Sequence, residues 1–257
     1  MFTWRHLLWL VICAAMVSSA VYLFKKKRPD LDRVLTIALI VAVLSEMAKV
    51  AGVIELVPSY HKDLLLPYIP MNQLPLHLCS IQIVLIASAK FMKNGKQREN
   101  LLALMAPTCA LGGIVALLMP SIFTTTISVT QAFTNVISYQ FFIFHSMLTA
   151  LGLIIAISGQ IDWSMKHFRN SLLLVYLAGF ISIYLNSMLA SPTYQDGKLI
   201  SVDFWTNFFF TYQNPLGIQI TQLWQWYLYL LILMLVAALL LYLFHLPLIK
   251  GKRRSRK

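Results

Sequence analysis

The chain has 257 residues, of which 59% are hydrophobic and only 12% charged, with a net charge of +12. This balance excludes an ordinary soluble globular domain, and the apolar bulk argues against a nucleic-acid binder despite the positive charge. The basic residues sit in short clusters beside apolar stretches, which is the positive-inside pattern of a membrane protein.

The first apolar stretch, residues 7–24, is followed by Lys25 to Arg28, with little positive charge ahead of it. A cleavable signal peptide has the reverse order, so the charges predict a retained anchor with its N-terminus outside. The second stretch, 34–57, carries Glu46 and Lys49, which share one helical face and can pair. Ionisable residues at that depth are functional candidates or a structural ion pair. Residues 58–75 hold Lys62 and several prolines, and predict an outer connection lying along the interface. The third stretch, 76–92, ends at the basic residues Lys93, Lys96 and Arg98. The fourth, 101–119, contains Pro107 and the pair Gly112-Gly113, which permit a kink or a close helix approach.

Residues 120–138 carry no charge and predict an outer segment. The fifth stretch, 139–158, carries His145, and the sixth, 172–190, carries Asn186 near its end. Residues 191–221 form a long aromatic-rich connection of the kind that serves as a lid or binding element. The last stretch, 222–244, begins with an aromatic belt of Trp224, Trp226 and Tyr227, and residues 250–257 form a basic tail. The expected fold is therefore an all-α membrane protein of about seven transmembrane helices, N-terminus outside and C-terminus cytoplasmic. It is expected to be one polytopic domain, 1–249, followed by the cytoplasmic tail.

The chemistry gathers on Leu74-Pro75-Leu76-His77-Leu78-Cys79-Ser80-Ile81-Gln82. A helix starting just after Pro75 places His77 and Cys79 in its first turn, where free N–H groups and the dipole favour negative charge. Cys79 is thus a candidate nucleophile, or else a small apolar thiol in a packed helix. His145 lies at a comparable depth, ~9 Å into its helix at 1.5 Å per residue. Acyl transfer needs a thiol, a base, an orienting partner for the base and hydrogen-bond donors for the oxyanion. Cys79 and His145 fit the first two roles, and Asn186 or Glu46 the third, with Glu46 lying deeper. Two residues apart on a helix, His77 and Cys79 point roughly 200° apart. His77 is therefore a headgroup or oxyanion ligand rather than the base, and Gln82 shares the face of Cys79. Cys13, Cys79 and Cys109 show no zinc or disulfide spacing, and neither metal nor cofactor is expected.

The Leu-Pro-Leu-His-Leu-Cys element resembles the YwaF family of bacterial integral membrane proteins. The same holds for Tyr139 to His145, Asn186 and Trp224-Gln225-Trp226-Tyr227, in order and over nearly the whole chain. That family is similar to eukaryotic transmembrane acyltransferases that remodel ether phospholipids. The resemblance implies a thioester on Cys79 assisted by His145, phospholipid substrates and a bacterial plasma membrane. After Asn186 this chain departs from the family pattern and enters a longer loop. The competing readings are a small-molecule transporter working through Glu46 and Lys49, and a non-catalytic lipid-binding membrane protein.

Overall fold

The computed structural model describes residues 2–58, 64–123, 125–215 and 217–255. Lys62, expected in the outer connection, and the last two residues of the basic tail lie outside them. Each apolar stretch folds as a helix: α1 (Trp4–Lys27), α2 (Leu31–Val53), α3 (Leu78–Phe91), α4 (Lys96–Leu118), the short α5 (Thr126–Thr130), α6 (Val136–Ile157), α7 (Met165–Met188) and α8 (Leu223–Ser255). Two exposed antiparallel hairpins interrupt them, β1 (Glu55–Pro58) with β2 (Leu65–Tyr68), and β3 (Ser191–Gln195) with β4 (Lys198–Asp203). The chain is a mostly helical membrane protein, but the hairpins were not legible as apolar stretches.

Among the described residues, six helices are long and apolar enough to cross a membrane. The expected third span is shorter than read, because α3 has only 14 residues, ~21 Å against a ~30 Å hydrocarbon core. The prolines at 67, 70 and 75 keep the approach to α3 out of the helix. Several helices instead outrun their apolar stretches at the basic ends. α4 starts at Lys96, α7 at Met165, and α8 continues into the basic tail as far as Ser255. Charged residues end a hydropathy window but not a helix, since long side chains reach the headgroups from the last turn.

Contacts sort the helix ends into two sets. At the basic end Arg98, at the start of α4, pairs with Asp32 at the start of α2, and its Nε–H donates to the Ala89 carbonyl near the end of α3 (2.8 Å). Asp162, ahead of α7, donates its N–H to Glu99 at 2.7 Å. At the other, nearly neutral end His6 donates Nε2–H to Leu117 O (2.9 Å), and Trp9 donates Nε1–H to Ala132 O (3.0 Å). Among the described residues, the six long helices and the shorter α3 therefore alternate in direction, and α1 begins at the opposite end of the bundle from where α8 finishes.

The core lies around α4 and α6. Leu102, Met105, Ala106 and Cys109 of α4 pack with Leu148, Leu151 and Ile155 of α6, and Ile86 of α3 and Leu35 of α2 complete the cluster. Small residues allow this approach: a Cβ on Gly152 would meet the backbone of Ala106 and Ala110. Pro107 removes one donor from α4 and so frees the carbonyl of Ala103. The Ser171 hydroxyl of α7 donates to it at 3.4 Å. A second cluster, built on Trp9, Cys13, Phe123, Phe141 and Phe142, joins α1 to α6 at the neutral end.

Candidate functional site

The Pro-rich approach passes through a short 3-10 turn, Met71–Gln73, before α3 starts at Leu78. His77 is the N-cap residue, extended at φ −69, ψ 150, and no side chain caps the helix. The first intrahelical bond runs from Ile81 N–H to His77 O at 3.0 Å. The first-turn N–H groups of α3, those of Cys79 and Ser80 among them, are left without a helical partner. The expected 200° separation of His77 and Cys79 does not apply, because His77 lies outside the helix. Its Nε2–H donates to Asn72 O at 3.1 Å, which leaves Nδ1 as the acceptor.

The two glycines of α4 bring α3 and α6 to one level. Gly112 faces Leu78, 3.7 Å from where a Cβ would stand, and Gly113 faces the backbone of His145, whose carbonyl oxygen lies only 2.8 Å from such a Cβ. Leu78, the residue before Cys79, and the His145 backbone thus flank the same turn of α4 from neighbouring helices. Cys79 is half-buried and free, and His145 keeps 7% of its surface. The His145 ring donates Nδ1–H to Phe141 O, four residues earlier, at 2.7 Å. That bond fixes the neutral tautomer and leaves the Nε2 lone pair with no protein partner among the described residues. Cys79 and His145 do not hydrogen-bond to each other.

The other expected site residues are placed differently. Gln82 is fully buried one turn deeper, where it donates to Thr108 Oγ1 (3.0 Å) and accepts from Cys109 Sγ (3.1 Å). Each end of its amide makes one bond to α4, so it ties α3 to α4. Glu46 pairs with Lys49 at 2.7 Å within α2. Ser45, its neighbour, accepts from Gln140 of α6 at 2.7 Å, and Gly52 faces Ile137. Glu46 therefore sits level with Gln140, about five residues or ~7.5 Å nearer the neutral end than His145. It is not deeper than His145 and does not orient it; the Phe141 carbonyl does. Lys49 lies within electrostatic reach of His77.

Asn186 does not orient His145 either. Its amide is fully buried and spent on the 191–221 loop. It donates to Phe208 O (3.1 Å) and Thr211 Oγ1 (2.9 Å), and accepts from Thr206 Oγ1 (2.9 Å) and Phe208 N–H (2.9 Å). The residue it holds, Phe208, packs edge-on against His77, with ring centroids 4.8 Å apart at 74°. Sequence reasoning took Phe208 only as part of the aromatic run of the 191–221 connection and missed Thr206 and Thr211, since a loop carries no periodicity from which to read its contacts. Among the described residues no three His, Cys, Asp or Glu side chains are grouped to hold a metal.

A protein-family model, described as the TMEM164 family, matches residues 1–244. The chain belongs to the TMEM164 family. No curated protein and no solved structure matches it. The TMEM164 match takes in α1 to α7 and most of α8, so every residue of the site lies within it. With six helices among the described residues long and apolar enough to cross a membrane, this TMEM164-family member is a multi-pass membrane protein. The matched family is named for neither YwaF nor a reaction.

Proposed function

We propose that the chain is a membrane-embedded acyltransferase that moves a fatty acyl chain between phospholipids through a thioester on Cys79. The observation that carries this reading is a free thiol in an uncapped first turn and an imidazole whose Nε2 has no protein partner among the described residues, on two helices that pack against one turn of α4. The resemblance to the YwaF family, and through it to lipid-remodelling acyltransferases, points the same way.

His145 Nε2 takes the thiol proton as Cys79 Sγ attacks the ester carbonyl. The open N–H groups at the start of α3 are donors for the developing oxyanion. The lysophospholipid then leaves with the proton from His145, and an acceptor hydroxyl reverses the sequence. Catalytic hydrogen bonds are often long before substrate binds, so the missing Cys79–His145 bond is compatible with this role. The basic end faces the cytoplasm by the positive-inside rule. The site, at the neutral end, then opens to the outer leaflet of a bacterial plasma membrane.

The test is intact mass spectrometry of the purified protein after incubation with mixed phospholipids. A fatty-acyl adduct removed by hydroxylamine and absent from Cys79→Ala supports the thioester. Absence of both the adduct and any redistribution of acyl chains in the lipid mixture refutes it.

A further inference from the structure

We infer that Phe208, locked in place by Asn186, shields the acylated Cys79 from water and so directs the acyl chain to a lipid acceptor instead of hydrolysis. This inference rests on the acyl-transfer reading above.

The turn from Thr206 to Thr211 is held far more firmly than a connection requires. Asn186 uses both its donors and its acceptor on this turn. From α8, Trp226 donates Nε1–H to Thr211 O at 2.9 Å, and the Tyr229 hydroxyl donates to Phe210 O. These ties hold Phe209 (φ 57, ψ 18) and Phe210 (φ 56) in the left-handed region. An L-residue enters that region at a cost, and stays only where its surroundings impose it. The result is one fully buried aromatic ring, Phe208, set against the His77 ring. His77 caps the helix that carries the thiol two residues later. Phe208 stands against the His77 ring, and His77 as a whole remains an exposed residue.

Water and a lysolipid hydroxyl attack a thioester by the same step. The nucleophile's proton passes to His145, the C–S bond breaks and the thiol is restored. The products are free fatty acid in one case and a new ester in the other. The two nucleophiles differ in size and polarity more than in chemistry, so selection between them calls for exclusion of water. A fixed apolar ring on the loop side supplies that exclusion, while the exposed His77 remains for an amphiphilic acceptor.

The experiment uses the full chain in phosphatidylcholine vesicles carrying a labelled acyl chain, with lysophosphatidylcholine as acceptor. The readout is the ratio of transferred chain to free fatty acid. Phe208→Ala lowers this ratio about tenfold, Phe208→Leu lowers it less, and Asn186→Asp, which keeps the acceptor but loses both donors, lowers it too. A merely destabilised protein loses both products together and keeps the ratio. An unchanged ratio in active Phe208→Ala, or in Phe208→Leu if the alanine variant does not fold, overturns the inference. If wild type turns over no acyl chain, the acyl-transfer reading fails on its own, and labelling of Cys79 by a membrane-impermeant maleimide decides the cover. Labelling about tenfold faster in the Phe208 variant supports the cover, and equal rates overturn it.

Discussion

Adjacent glycines on α4 provide a sharp test of how the site is assembled. A methyl group added at Gly113 would stand 2.8 Å from the His145 carbonyl oxygen and 3.0 Å from the Thr149 nitrogen, and would also strike the Thr149 hydroxyl. Carbon–oxygen contacts between backbones settle near 3.3–3.6 Å, so α4 and α6 must part by roughly 0.5 Å or more. Backbone cannot rotate away as a side chain can, and overpacking of this kind costs about 1–3 kcal/mol. At Gly112 the nearest atom is the flexible Leu78 Cδ2 at 3.7 Å, an ordinary contact. There alanine contributes its helix propensity, about 1 kcal/mol over glycine. Gly112→Ala and Gly113→Ala are therefore expected to differ by about 2–4 kcal/mol in stability. Unfolding in detergent micelles followed by far-UV circular dichroism measures the difference. Because the displaced backbone carries His145, acyl transfer should also fall about 10–100-fold in Gly113→Ala and stay near wild type in Gly112→Ala. Equal stability and activity for the two variants would refute the close crossing and the placement of His145 built on it.

Asn186→Ala leaves the buried groups of the 206–211 turn unpaired and should cost about 2–4 kcal/mol; proteolysis of that turn should accelerate, and a protease-resistant loop would count against the lock. Gln82→Leu removes the tie between α3 and α4 and should lower stability by about 1–2 kcal/mol. It should leave the ratio of transfer to hydrolysis unchanged, and a shifted ratio would return Gln82 to the substrate site. Glu46→Gln breaks a partly exposed ion pair worth no more than about 1 kcal/mol. Thioester formation should change by less than about twofold; a large loss would restore Glu46 as a partner of His145. His145→Gln should reduce thioester formation about 100-fold or more while the protein still folds, a pairing read from intact mass and circular dichroism on one sample.

Much of the site was legible because chemistry-bearing residues are rare in apolar sequence. Cys79 and His145 stood out for that reason, and the structure sets the helices that carry them against the Gly112-Gly113 turn of α4. The Glu46–Lys49 pair was read correctly from its spacing, but Asn186 and Glu46 do not orient His145, and Gln82 ties two helices together. All three are polar groups on long helices at plausible depths, and hydropathy reports depth without rotation about the helix axis. Asn186 turns to its own loop, Glu46 to Lys49 on its own helix, and Gln82 to α4. The helix boundary misled as well: α3 starts at Leu78 and not just after Pro75, and this one shift releases His77 from the helical spacing rule.

By itself the sequence determined a multi-pass membrane protein and which end of it is basic, and it offered one thiol and one imidazole as candidates for chemistry. Those properties follow from local composition and from the cost of burying charge in lipid. Only the tertiary structure decided which polar groups meet. That outcome depends on how closely α4 approaches its neighbours at Gly113 and Gly152, and on a loop turn held in shape by one buried amide. Neither leaves a periodic trace along the chain, because both arise where residues far apart in sequence exclude one another from the same space.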